Sequence, residues 1–157
     1  MSNHPMSSHI LGRALEENLN TSPRDKRTYG TRLLKLRDYL KSRSDGKYNH
    51  LNLVSRCNAS HPCQSVACAF GHAVISGKFH GLRHLKLDSR DIVRRGRNLD
   101  SWGKFINTEA EADAFFGPST WDAIFGTWSW FGCPTRKDVV VRMTEFADQV
   151  FGVTRNA

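Results

Sequence analysis

The residues with the most reactive side chains lie between Cys57 and Gly77, where three of the four cysteines and two of the seven histidines occur. Zinc prefers thiolate and imidazole ligands in tetrahedral sites. The candidate ligands are Cys57, Cys63, Cys68 and His72. Five residues separate Cys57 from Cys63 and four separate Cys63 from Cys68, and neither gap fits a standard zinc knuckle. We therefore expect no cofactor, with a zinc site as an alternative.

The same residues allow a thiol enzyme as a further alternative. Either Cys63 at the start of a helix, or Cys68 with His72 four residues later, could supply a thiolate, because a helix N-terminus or a nearby base favours it. No third residue that would orient such a pair can be identified, so we predict that the protein is not an enzyme. The simplest interpretation is free, buried cysteines, since a disulfide is rare in a reducing cytosol.

A helix is predicted over residues 66–76, directly after this cysteine-rich loop. His61-Pro62 disfavours helix, whereas Val66 to Ser76 contains no proline and is followed by Gly77, a typical C-terminal cap. Glycine inside a helix costs about 1 kcal/mol relative to alanine. The small residues around Gly71 therefore predict a neighbouring element in close approach and a central, buried helix.

The stretch from Cys63 to Ala73 reads Cys-Gln-Ser-Val-Ala-Cys-Ala-Phe-Gly-His-Ala. It resembles the Cys-Gly-Thr-x-Ala-Cys-x-x-Gly-His/Trp-Ala motif of a group of small, largely uncharacterised helical proteins encoded by bacteria and their phages. Gln64 and Ser65 replace the usual glycine and threonine, and tryptophan often stands at the position of His72. The resemblance would extend over about residues 30 to 151 and implies a phage or mobile-element origin, without implying an activity.

Charge is unevenly distributed along the chain of 157 residues, whose net charge is +8. Residues 24–47 contain nine Lys/Arg and three Asp (+6), and residues 78–97 contain seven basic and two acidic residues (+5). Residues 98–157 contain five basic and eight acidic residues (−3). A surface of this kind attracts polyanions and makes their association dependent on salt.

Two predicted helices carry most of the basic residues. Thr28 to Arg43 has apolar residues at helical spacing and a basic outer face, with further cations in a loop just upstream. Asp88 begins a second predicted helix that ends near Gly96 and bears an arginine cluster, which suits phosphate because each guanidinium can bind two oxygens. The predicted polyanion-binding residues are Arg24, Lys26, Arg27, Arg32, Lys35, Lys41, Arg43, Arg90, Arg94, Arg95 and Arg97.

Seven aromatic residues occur in the 17 residues from Phe115 to Phe131. Trp128, Trp130 and Phe131 lie in a predicted loop between two glycines, where exposed rings would be costly unless a partner covers them. These three residues are the predicted protein-interaction or self-association surface if a partner covers them. The other interpretation is a plug that folds back into the core, as large rings in a small helical domain usually do. Base stacking is not expected there, because no lysine or arginine alternates with the rings.

The remaining patterns also predict helices. They are His9 to Asn20, Thr108 to Phe116, Ser119 to Gly126 and a last helix that follows Thr135 and ends at Gly152, with Val139, Met143, Phe146 and Val150 as its buried stripe. A short β-hairpin is allowed within residues 47–60. We predict a single all-α domain of six or seven helices over residues 9–152, packed on the 66–76 helix, with loose ends at 1–8 and 153–157. At this length folding buries roughly 70% of the unfolded surface, enough for a core without metal or disulfide.

The predicted function is that of a non-enzymatic accessory protein that binds nucleic acid or a nucleoprotein complex through its basic face. The phage resemblance extends this to an inhibitor of host defence. The alternative is a virion-associated or structural protein that assembles through the aromatic loop. The chain contains no apolar run near 18 residues and no pattern of a secretory signal, so we expect a cytoplasmic protein, or a virion protein, without a membrane partner.

Overall fold

A computed structural model describes residues 5–42, 64–88, 91–94, 108–126, 130 and 136–154. It contains five α-helices, a 3-10 turn at His80–Leu82, a π-helical turn at Trp121–Phe125 and one antiparallel hairpin within that part of the chain. The α-helices are α1 (Ser8–Glu17), α2 (Pro23–Ser42), α3 (Gln64–Ile75), α4 (Thr108–Phe116) and α5 (Arg136–Gln149). The strands are β1 (Leu85–Asp88) and β2 (Asp91–Arg94). The prediction of a mostly helical single domain is confirmed.

Helices α1 and α2 are joined by a short turn that ends one helix and starts the next. The backbone N–H of Asp25 donates to Ser22 Oγ at 3.1 Å, and Pro23 occupies the first position of α2, where its missing N–H costs nothing. Arg24, Lys26 and Arg27 therefore lie in the first turns of α2. The prediction that these cations lie in a loop was wrong, because Pro23 starts the helix five residues before the predicted start at Thr28.

Helices α2 and α5 form the most extensive helix pair of the described chain. Leu33, Leu36 and Leu40 of α2 are buried, as the spacing predicted. The predicted stripe of α5 is also buried, at Val139, Met143, Phe146 and Val150. Gly152 has a φ of 68° and its N–H donates to Asp148 O at 2.9 Å, which is the left-handed cap expected after α5.

Helix α3 inserts its second half into this core. Its residues from Ala69 to Val74 are buried, including the ring of Phe70, which packs edge-on against Phe116 and Phe125. No atom of the described residues lies within 4 Å of the position that a Cβ would take at Gly71. Gly71 is buried, but none of the described neighbours makes the close approach expected from the sequence, so that expectation stays a prediction.

The helix predicted from Asp88 to Gly96 is wrong in the described part of that range. Leu85–Asp88 and Asp91–Arg94 instead pair as antiparallel strands, with Leu85 opposite Arg94 and Leu87 opposite Ile92. The β-branched Ile92 and Val93 favour extended backbone, and Leu85 is completely buried. Leu87 and Ile92 have the spacing of a hydrophobic staple at a helix start, but they are a cross-strand pair. The hairpin that the sequence allowed within 47–60 lies outside the described residues.

Asp113 of α4 connects this helix to the π-helical turn that follows it. Its carboxylate accepts hydrogen bonds from the N–H of Trp121 at 2.8 Å and from Thr120 Oγ1 at 3.2 Å. Ser119, the predicted cap of a Ser119–Gly126 helix, has a φ of 73° and bonds to Glu17 of α1. The predicted helix is thus shortened to one π turn, and a residue of the preceding helix supplies the cap.

No helix of the described residues is long and apolar enough to cross a membrane.

Candidate nucleic-acid interface

Three contacts between a cation and an aromatic ring lie along one side of α2. Arg32 Cζ is 4.2 Å from the centroid of the Phe115 ring. Lys35 Nζ is 5.0 Å from the centroid of Phe79, and Lys78 Nζ is 5.3 Å from that of Tyr39. Each ring face attracts the cation above it and limits the positions that its side chain can occupy.

Arg32 is held by a second contact. Its Nη1 donates a hydrogen bond to the carbonyl oxygen of Phe115 at 2.7 Å, so the same residue of α4 supplies both the ring and the acceptor. A guanidinium has five N–H donors, and this bond uses one of them. Donors therefore remain for an anion while the side chain stays fixed.

Lys35 brings the two basic segments of the chain together. Its Nζ donates to the backbone oxygen of Lys78 at 2.7 Å, which joins α2 to the residues that follow α3. Lys35 belongs to the segment with a charge of +6 and Lys78 to the segment with a charge of +5. The tertiary structure thus brings together positive charges that are far apart in the sequence.

These cations surround a cleft of about 330 Å³, which we call the basic cleft. Its described lining residues are Thr31, Arg32, Lys35, Lys78, Phe79, His80, Gly81 and Phe115. Phe79 and Phe115 are buried, whereas Lys35, Lys78 and His80 are exposed. The described lining includes three lysine or arginine side chains and no carboxylate. An anion that enters the cleft therefore meets attractive charge and hydrogen-bond donors from this lining.

The outer face of α2 continues this surface. Arg24, Thr28, Thr31 and Lys35 follow one another at intervals of four, three and four residues, and all four are exposed. Such spacing places side chains on one face of a helix. The face extends for roughly 16 Å at the helical rise of 1.5 Å per residue. Cations and hydroxyl groups are the side chains that most often contact phosphate oxygens.

The structure describes only some of the other predicted basic residues. Arg27 and Lys41 are exposed on α2 and Lys26 is half-buried. Arg94 lies in β2, and its side chain is outside the described part, as are residues Arg43, Arg90, Arg95 and Arg97 altogether. Lys78 and His80 were not among the predicted binding residues, because their place in the cleft beside α2 depends on tertiary packing and leaves no local pattern in the sequence.

Of the candidate metal ligands Cys57, Cys63, Cys68 and His72, only His72 has a side chain that the structure describes. His72 is 4% exposed, and its ring centroid is 6.5 Å from that of Tyr39. Cys68 lies on α3 with its side chain outside the described part, and Cys57 and Cys63 lie outside the described residues. Within the described residues no three His, Cys, Asp or Glu side chains are grouped as metal ligands.

Trp130 lies in the interior and is 9% exposed, which agrees with the core-plug interpretation and not with a place on an interaction surface. Its Nε1–H donates to the carbonyl oxygen of Ile124 at 3.0 Å. The guanidinium of Arg142 lies 3.5 Å from its ring centroid. Burial lowers the pKa of Arg142 to about 10. Trp128 and Phe131, the other residues of the predicted interaction surface, lie outside the described residues.

A second polar group joins α1 to the π-helical turn. The hydroxyl of Ser119 donates to Glu17 Oε2, and Arg13 Nε donates to Glu17 Oε1 at 3.1 Å. The Ser119 hydrogen bond is the main reason that the pKa of Glu17 lies below its ordinary value. Arg13 is also 3.9 Å from Asp122. All of these side chains are matched by opposite charge or hydrogen bonds, so the group serves to attach α1.

No protein-family model matches the chain, and no curated protein or solved structure shows significant similarity to it.

Proposed function

We propose that the protein binds nucleic acid through the basic cleft and the outer face of α2. The observation that carries this proposal is the convergence of Arg32, Lys35 and Lys78 around a cleft whose described lining contains no carboxylate. Phosphate contacts supply most of the affinity of nucleic-acid binding proteins, and these contacts come mainly from lysine and arginine.

The cations of the cleft are arranged before a ligand arrives. Long basic side chains on a free surface lose about 1.5–2 kcal/mol of rotamer entropy each when they are fixed. Phe115 and Phe79 already restrict Arg32 and Lys35, and each of these cations also donates a hydrogen bond to a backbone oxygen. Part of that entropy cost is therefore met during folding, which favours a binding role over a general effect on solubility.

The extent of the surface favours a polymeric anion over a single small one. The cations from Arg24 to Lys35 are distributed over roughly three turns of α2, and Lys78 adds a further charge beside them. A chain of phosphates can contact several of these groups at once, whereas one small anion reaches only the cleft. A nucleic acid within a nucleoprotein complex would offer the same phosphates.

The proposal is tested by the salt dependence of binding to a fluorescent oligonucleotide. Each cation that neutralises a phosphate contributes about 0.9 to the slope of log K against log salt for duplex DNA, and about 0.7 for a single strand. The double variant Lys35→Met/Lys78→Met keeps the apolar stems that cover the rings. We expect it to reduce the slope by about 1.4 to 1.8, the sum of two such contributions.

Lys137→Met is the matched control. Lys137 is also an exposed lysine, and it lies on α5 and not among the described residues that line the basic cleft. The substitution Lys137→Met lowers the net charge by one unit and should leave the slope of log K against log salt unchanged. A wild-type slope in the double variant, or an equal reduction per lysine in the control, would contradict the proposal.

A further inference from the structure

The fold alternates cations and aromatic rings that the sequence keeps apart. Along the side of α2 the order is Phe115 with Arg32, Phe79 with Lys35 and Tyr39 with Lys78. The rings come from α2, from the residue after Lys78 and from α4, so the arrangement exists only after folding. Proteins that bind single strands combine a positive groove with planar groups on which bases stack.

We propose that the basic cleft binds an unpaired segment of nucleic acid, with one base stacked on the guanidinium of Arg32 and the adjacent phosphates at Lys35 and Lys78. This inference rests on the proposed function and specifies the form of its ligand. The alternative ligand, a duplex held by its phosphates alone, is one of the outcomes of the test.

The shape of the site favours an unpaired strand. At about 330 Å³ the cleft is of the size that takes a small ligand or one unit of a polymer. The bases of a duplex are stacked inside the helix and cannot enter a concave site without being extruded, at a cost of a few kcal/mol. An unpaired nucleotide avoids most of that cost.

Arg32 provides the surface for stacking. Phe115 lies against one side of its guanidinium at 4.2 Å, and the hydrogen bond to the Phe115 oxygen fixes one edge. Arg32 is half-buried and lines the cleft, so its side chain is within reach of a ligand there. Bases of single-stranded RNA commonly stack on arginine planes as well as on aromatic rings. The imidazole of His80, also in the lining, offers a second planar group.

The experiment compares a 12-nucleotide oligothymidylate with a 12-base-pair duplex at the same salt concentration, using the full chain. We expect the wild-type protein to bind the single strand at least about five-fold more tightly, since one stacked base contributes on the order of that factor or more. Arg32→Lys keeps the charge and a donor for the Phe115 oxygen, and it removes the planar group and two of the five N–H donors. It should lose at least about five-fold in affinity for the single strand. Its affinity for the duplex should fall by a smaller factor, because the charge that attracts phosphates is kept.

Two results would overturn the inference. Equal binding of the single strand and the duplex by the wild-type protein would leave the proposed function in place and remove the stacked base, and this measurement needs no variant. Unchanged single-strand affinity in Arg32→Lys would exclude Arg32 as the stacking surface. Failure of the proposed function is distinct, because it would appear as a salt slope that is insensitive to Lys35→Met/Lys78→Met.

Discussion

Replacing Gly117 by alanine should destabilise the protein more than the same replacement at Gly77 or Gly152. All three glycines have a positive φ, but described residues pack closely only around Gly117. Gly117 follows α4 and has a φ of 108°, which an L-residue adopts at a cost of about 1–2 kcal/mol. An added Cβ would lie 2.5 Å from Phe151 Cζ and 3.0 Å from two ring atoms of Tyr29. Forcing a methyl group into a packed core costs about 1–3 kcal/mol more.

The two effects together predict a loss of about 2–5 kcal/mol in the free energy of unfolding for Gly117→Ala. For a chain of this length each kcal/mol lowers the melting temperature by about 2–4 °C, so the expected decrease is about 4–20 °C. The assay is thermal unfolding followed by circular dichroism, with urea unfolding to obtain the free energy. Gly117 follows α4, Tyr29 is on α2 and Phe151 follows α5. The loss of stability therefore measures how closely these three helices pack where they meet, next to Phe115.

Gly77→Ala is the matched control. Gly77 has a φ of 69°, and no atom of the described residues lies within 4 Å of the position that its Cβ would take. Its substitution should cost the backbone contribution alone, about 1–2 kcal/mol. If Gly117→Ala were no more destabilising than Gly77→Ala, the close packing of Phe151 and Tyr29 against Gly117 would be refuted.

Two further predictions concern the carboxylates that connect α1 and α4 to the π-helical turn. The pKa of Glu17 is lower in the folded state than in the unfolded state, chiefly because the Ser119 hydroxyl donates to its carboxylate. Ionised Glu17 therefore stabilises the fold at pH values above its unfolded-state pKa. This stabilisation is lost as the pH falls through its folded-state pKa. Urea unfolding at pH 6 and pH 3 should show that the difference between wild type and Glu17→Gln becomes smaller at pH 3, and a constant difference would contradict this. Asp113→Ala removes the acceptor of Thr120 and Trp121 and should cost about 1–2 kcal/mol in urea unfolding at pH 7. Burial disfavours the charged form of Asp113 and raises its pKa. Asp113→Asn keeps an acceptor oxygen and buries no charge, so it should cost less than half as much, and equal losses would argue against a capping role.

Much of the helical structure could be predicted from local patterns. The helix from Thr108 to Phe116 has the predicted bounds, because its capping residues and composition are local signals. The error at Asp88 to Gly96 has a physical cause. Leu87 and Ile92 are five residues apart, a spacing that fits a helix staple and also a cross-strand pair. The β-branched residues after Asp91 and the burial of Leu85 in the core favour strands, and the burial is not visible in the sequence.

Trp130 shows the same limit for side chains. From sequence its ring had two possible positions, at the surface or within the core, because a loop residue has no periodicity that indicates its direction. Two residues fix its position. Ile124, six residues earlier, provides a carbonyl oxygen that accepts a hydrogen bond, and Arg142, twelve residues later, provides a guanidinium that lies on the ring. Such partners become neighbours only when the chain folds.

The amino-acid sequence by itself determined the helical class, the buried stripes of α2 and α5 and the excess of positive charge, since these depend on composition and on short-range spacing. The tertiary structure alone decided that Lys35 meets Lys78, that Arg32 lies on Phe115 and that a cleft lies between them. The physical reason is that a cation and a ring attract each other only within about 6 Å. The cation and the ring of each pair are 39 or more positions apart in the sequence, and they reach that distance through the packing of helices, which no local pattern encodes.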